Sequence, residues 1–210
     1  MEPAEDRRPL KSRSLGWVQA LAHLLVRAKV KPNTISAVGI VFAAAAFGVL
    51  WWYHHGGLPA WVALVLAALC VQARLMCNLM DGLVAVEGGL KSKGGDLFNE
   101  IPDRIEDSMF LIGAGYACGN TTAGWLCALL AVFTAYVRAF GASLGQGQDF
   151  GGPCAKPQRM FLLTVGLIAQ AVVLLCKQAW PVLEWVLWLI AALTAVTAVL
   201  RIGRMYQKSR

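Results

Sequence analysis

Six apolar stretches, each about 20 residues long, use up almost the whole of this chain and leave little room for any other kind of fold. They fall at about 34–53, 60–80, 103–118, 122–141, 159–176 and 180–200. A helix of roughly 20 mostly apolar residues matches the thickness of a bilayer's hydrocarbon core. Hydrophobic residues make up 58% of the 210, well above a soluble domain. The expected fold is therefore an all-α integral membrane protein with six transmembrane helices. No internal repeat and no separate soluble domain is visible.

The expected organisation is a polar tail at 1–13, an interfacial amphipathic helix at 14–31, a six-helix transmembrane domain at 32–202 and a basic tail at 203–210. In the second segment apolar residues recur at 17, 18, 21, 24, 25 and 28, a helical period. This helix is too short and polar to span, so it is expected to lie along the membrane with Trp17 among the headgroups. Ser14 is its expected cap. Pro32 breaks it, and Asn33 or Thr34 is expected to cap the first span. Met1–Lys11 is charged and has no apolar core, so the first span itself is expected to serve as insertion signal.

The net charge of +7 is distributed by topology. Basic residues precede the first span and follow the second, fourth and sixth. The other three loops carry only Lys177. Positive loops stay cytoplasmic, so both termini are expected inside, in the cell (inner) membrane. A nucleic-acid footprint would need a basic soluble face, and the sequence offers none. The six cysteines show neither metal spacing nor a disulfide framework.

Against this apolar background, seven of the twelve carboxylates lie within Asn78–Asp107. Acids near a bilayer are costly and mark function. Asn78 and Asp81 are i, i+3 and share a face of the second span. Asn99, Asp103 and Asp107 share a face of the third. Like charges four apart repel, so the stripe needs compensation. Arg74 and Arg104 supply some, and a hard divalent cation such as Mg²⁺ or Mn²⁺ suits the remaining oxygens. The three histidines lie elsewhere, which argues against zinc. An acid-lined ion or proton path is the competing reading. Gly88, Gly89, Gly94 and Gly95 form either a flexible bend or a place for close ligand approach.

The order Asn78-x2-Asp81-Gly82-x2-Ala85-Val86-x8-Gly95-x3-Asn99-x3-Asp103 resembles the D-x2-D-G-x2-A-R-x8-G-x3-D-x3-D signature of the CDP-alcohol phosphotransferase family. Lys31-Pro-Asn-Thr-Ile-Ser is similar to the P-N-x-[IL]-[ST] start of span one in many members. The departures are Asn78 and Asn99 for two acids and Val86 for the Arg, which sets this chain apart as a variant. The resemblance implies a homodimeric enzyme with a cytoplasm-facing cavity. It transfers a phosphatidyl or phospho-alcohol group from a CDP-linked donor, CDP-diacylglycerol above all, to a hydroxyl acceptor, and CMP leaves.

Residue by residue, the resemblance implies metal ligands at Asn78, Asp81, Asn99 and Asp103, holding two Mg²⁺ or Mn²⁺ ions. Glu100 or Asp107 can restore the charge the amides lack. Asp103 is the implied base, with Asp107 as alternate. Asp81, Gly82, Ala85 and Gly95 would face the nucleotide. Arg74 would replace the missing Arg, pair with Glu100, or serve as a structural partner of the acidic cluster. Arg138, Lys156 and Arg159 would clamp an acceptor phosphate or a lipid headgroup. The alternatives are a non-catalytic CDP-lipid-binding relative and a small transporter with an acidic vestibule.

Overall fold

The computed structural model describes residues 15–89 and 95–210, with the backbone alone at 95–99. Among these residues the chain is all helical: α1 (Gly16–Arg27), α2 (Pro32–His54), α3 (Ala60–Glu87), α4 (Gly95–Ala117), α5 (Thr121–Ser143), α6 (Lys156–Leu175) and α7 (Val182–Lys208). Five of them, α2, α3, α5, α6 and α7, are long and apolar enough to cross a membrane. This is an integral membrane protein. The helix α4 is as long as α2 at 23 residues, but its charged first half keeps it off that count.

The elements differ from expectation at their ends. The α3 helix runs to Glu87, so Asp81 lies inside it. The α4 helix begins at Gly95, three residues before the start expected near Phe98, and its acidic turns are helical as expected. The α7 helix continues to Lys208 and takes in most of the expected basic tail. Neither Asn33 nor Thr34 caps α2. Lys31 occupies the cap position and Pro32 the first turn, where a missing N–H costs nothing. Ser14 and the tail 1–13 lie outside the described residues.

The packed pairs α2–α3, α2–α4, α4–α5, α5–α7, α7–α6 and α6–α3 close a ring of six helices, with α1 laid against α3. Alanines fill the seams: Ala43, Ala46, Ala67, Ala114, Ala123 and Ala131 are all buried. Small residues let helices approach where the hydrophobic effect gives no drive. The closest crossing joins α4 and α5. A Cβ on Gly115 would stand 2.8 Å from the Gly124 Cα. In α1, Val18 and Ala22 pack into a cluster with Leu79, Met80 and Val84 of α3, while Trp17 and Leu24 are exposed.

Seven of the eight tryptophans decorate one end of the ring: Trp51, Trp52, Trp61, Trp125, Trp180, Trp185 and Trp188, all exposed. That is the aromatic belt of a membrane interface. The carboxylate-bearing turns of α3 and α4 lie at the opposite end, with the start of α6. Gly115→Ile should force α4 from α5 and destabilise the fold by about 1–3 kcal/mol, the usual cost of overpacking. A lowered melting temperature in detergent checks this.

Candidate active site

The charged end of the ring is organised around Arg74, whose side chain is fully buried on α3. Its guanidinium reaches three acids of α4 at once. It pairs with Asp103 at 3.1 Å, with Asp107 at 3.0 Å and with Glu106. A planar guanidinium suits this task because its donors fan out in one fixed plane. Glu106 lies so close to α2 that a Cβ on Gly39 would stand 2.8 Å from its Oε1. One cation thus ties α3 to α4 against α2.

Asp103 sits at the centre. Its Oδ1 accepts from Asn78 Nδ2 at 2.9 Å and from Arg74 Nη2. Its Oδ2 faces Lys156 Nζ at 2.5 Å and Arg104 Nη2 at 3.5 Å. The pairing of Asn78 with Asp103 joins the two halves of the sequence pattern across the ring. Asp81, one turn beyond Asn78, is buried, and Ser36 Oγ of α2 donates to its Oδ2 at 2.9 Å. Gly82 and Ala85 lie on the same helix, partly buried. Gly95 opens α4, and the side chain of Asn99 falls outside the described residues.

Other expected site residues have different partners. Asp107 is 1% exposed and held by Arg74 and, at 3.5 Å, by Arg159. It braces the bundle and does not face an open cavity. Arg159 is equally buried and also donates to the Cys154 carbonyl at 3.2 Å, so its charge serves the α4–α6 contact and not an acceptor. Arg74 pairs with Asp103, Glu106 and Asp107, and not with Glu100. Glu100 is at the rim, 2.6 Å from Arg138 and 3.6 Å from Arg104. Arg138 also donates to Gln148 and lies over the Phe150 ring. Among the described residues no three His, Cys, Asp or Glu side chains gather into a metal cluster.

Sequence reasoning missed Ser36, Gly39 and Glu106 in this site. It also passed over Arg201 and Arg204 of α7 as topology signals only. Those two line a small polar cavity of about 20 Å³ with Arg138, Gln146, Asp149 and Lys208. Arg201 is buried and donates to the carbonyls of Gly151 and Thr134, both at 2.9 Å. Partial burial pushes the Asp149 carboxyl up, but the Arg204 hydrogen bond and the Gly151 N–H more than offset this and hold it below its ordinary value. A depressed carboxylate stabilises the fold above its unfolded pKa and loses that effect as pH falls through the folded one. The 144–155 connection should therefore become more protease-sensitive as the pH falls into the acid range, checked by limited proteolysis across pH. An apolar groove of about 470 Å³ opens beside the site, between α2, α4 and α5, from Arg104 and Ser108 to Tyr116 and Trp125.

The fold and site together define a class: a membrane-embedded ring of helices with a buried carboxylate–guanidinium centre at its basic end. No family model matches the chain, and no curated protein matches it by sequence. Solved structures match its fold. The phosphatidylinositol phosphate synthase of Mycobacterium tuberculosis, in complex with manganese and citrate, superimposes with a TM-score of 0.75 at 21% identity. That match covers 90% of this chain and 88% of that one. The same synthase with CDP-DAG bound gives 0.73 at 22% identity, over 90% and 93%. Its apo form gives 0.71 at 20%, over 89% and 95%. The chain has the fold of that synthase.

Replacing Arg74 by Met would leave two buried acids, Glu106 and Asp107, and the half-buried Asp103 without their shared partner. Breaking a buried pair costs about 3–5 kcal/mol. Arg74→Met should therefore fail to give monodisperse protein, while Ser36→Ala, which removes one hydrogen bond, should fold. Size-exclusion profiles and melting temperatures check both.

Proposed function

We propose that this protein is a membrane enzyme of phospholipid synthesis, similar to the CDP-alcohol phosphotransferases. It moves a phosphatidyl or phospho-alcohol group from a CDP-linked donor, CDP-diacylglycerol above all, to a hydroxyl acceptor. The observation that carries this reading is the hydrogen bond of Asn78 to Asp103 across α3 and α4, with Asp81 one turn further along α3, in the fold of a synthase solved with CDP-DAG. In the reaction the acceptor oxygen bonds to the phosphorus of the transferred group. The bond from that phosphorus to the oxygen bridging to CMP breaks, and CMP leaves with the electron pair. The acceptor proton goes to Asp103.

The donors at this centre are hard oxygens: the Asp81 and Asp103 carboxylates and the Asn78 amide. That set fits Mg²⁺ or Mn²⁺. Asn99 is proposed to join it, and Glu100 from the rim is not. When bound, such an ion neutralises the pyrophosphate and the charge gathering on the leaving oxygen. The chain's own residues do the rest. Ser36 orients Asp81, while Arg74 and Asn78 orient Asp103. Lys156 must leave Oδ2 before Asp103 takes a proton. Gly82, Ala85 and Gly95 keep the wall facing the nucleotide low. The groove from Arg104 to Trp125 receives an acyl chain beside the reacting end. Arg138, Arg201 and Arg204, which line one small cavity together, are the cations proposed for an anionic acceptor.

In this reading α4 is the sixth span, α1 lies in the interface, and the basic end with both termini faces the cytoplasm of the cell membrane. A homodimer is proposed from the resemblance. A second reading, a non-catalytic CDP-lipid binder, draws on the three cations already resting on Asp103. A transport path is disfavoured. The acids of α4 from Glu100 to Asp107 are ion-paired, and beyond them Phe110, Leu111 and Ala114 are buried and apolar.

Purified protein in detergent with CDP-diacylglycerol, Mg²⁺ or Mn²⁺ and a pool of hydroxyl acceptors should release CMP. Asp81→Ala and Asp103→Ala should each lower the rate by roughly 10²-fold or more, the scale of losing a positioned base or charge-stabilising group. Chelation should abolish it. CDP-lipid binding without release in the intact protein would favour the binder, and neither binding nor release would sink both readings.

A further inference from the structure

We infer that the centre between α3 and α4 takes one divalent cation and not two, with the Lys156 ammonium supplying at Asp103 the positive charge that a second would bring. The inference deepens the proposed transfer reading and depends on it for the metal, but the count is argued from this chain's own charges.

The described centre is already balanced. Five carboxylates, Asp81, Glu100, Asp103, Glu106 and Asp107, share it with five cations, Arg74, Arg104, Arg138, Lys156 and Arg159. In the sequence pattern, positions 78 and 99 are amides. An amide oxygen lends a lone pair but no charge. The pyrophosphate of a CDP-linked lipid brings two negative charges when both its phosphates are diesters. One divalent ion and one such donor therefore leave the centre neutral. Two ions would leave it with two uncompensated positive charges in a membrane-buried site, where unpaired charge is costly.

Lys156 is placed to enforce this count. It is the first residue of α6, and its Nζ lies 2.5 Å from Asp103 Oδ2 with the side chain largely buried. The turn that carries it is fixed by Arg159, which binds Asp107 and the Cys154 carbonyl. Asp103 Oδ1 already faces Asn78 and Arg74. A second cation at Asp103 would meet Lys156 as a like charge and would find no further unpaired carboxylate among the described residues beside it. Lys156 is accordingly a charge-setting residue of the site and not an arm for the acceptor.

The test is Mn²⁺ binding to the full-length protein in lipid nanodiscs that contain CDP-diacylglycerol, read by equilibrium dialysis and electron paramagnetic resonance. Wild type should bind one Mn²⁺ per chain with an uncoupled six-line spectrum. Lys156→Gln should bind Mn²⁺ about tenfold or more tightly, since a neighbouring like charge is gone, and Lys156→Arg should restore wild-type affinity. The Asn78→Asp, Asn99→Asp, Lys156→Gln triple variant should take a second, spin-coupled ion. Two coupled ions in wild type, no ion at all, or a Lys156→Gln affinity unchanged or weaker in protein of wild-type melting temperature would each overturn the inference. CMP release in the same samples separates the two ideas: one ion bound without release defeats the transferase reading and leaves the count intact.

Discussion

A single buried guanidinium holds the charged end of this molecule together. Arg74 sits where three α4 acids converge, inside a ring whose seams are otherwise filled largely by alanines, glycines and aliphatic side chains. In a bilayer the hydrophobic effect does little to choose which helix faces pack. An ion pair does, because every mispacked alternative leaves charge unpaired in a low dielectric. The rotation of α4 about its axis follows from Arg74. So does the exposure of Asp103 toward α6 while Glu106 and Asp107 turn inward. The chemistry proposed for Asp103 depends on that rotation.

Charge also explains the division of labour among the acids. Asp107 and Glu106 are closed in by neighbours and serve the bundle. Glu100 lies at the rim and anchors Arg138. Asp81 and Asp103 remain, one on α3 held by Ser36 and one on α4 held by Asn78. An acidic stripe that reads as one feature along a helix thus separates in space into brace, rim and centre. The amides at 78 and 99 belong to this economy of charge: where acids would need two ions, amides and a lysine need fewer.

Much of the fold could be read in advance. Long apolar runs bounded by glycine, proline and charge can hardly be anything but spans, and the Asn78–Asp103 pattern marked two facing helices. The start of α4 was legible to within a turn, because the spacing of Asn99, Asp103 and Asp107 is helical even where hydropathy is low. The partners of Arg74 were harder. Spacing along α3 places Arg74 on the face of Asn78, but it says nothing of how α4 is turned, so Glu100 was as good a guess as Glu106. Lys156 and Arg159 lie some fifty residues from the acids they meet, and only the closed ring brings the start of α6 beside α4. Arg201 and Arg204 looked like positive-inside residues because at the end of a last span both roles have the same sequence.

The most direct test is a structure of the protein with Mn²⁺ and CDP-diacylglycerol, located by anomalous scattering from the metal. The expected result is one manganese peak between Asp81 and Asp103, with the donor's pyrophosphate upon it and the acyl chains leaving beside α4. A nucleotide bound away from both carboxylates, with Ser36–Asp81 and Lys156–Asp103 undisturbed, would contradict the assignment of this centre.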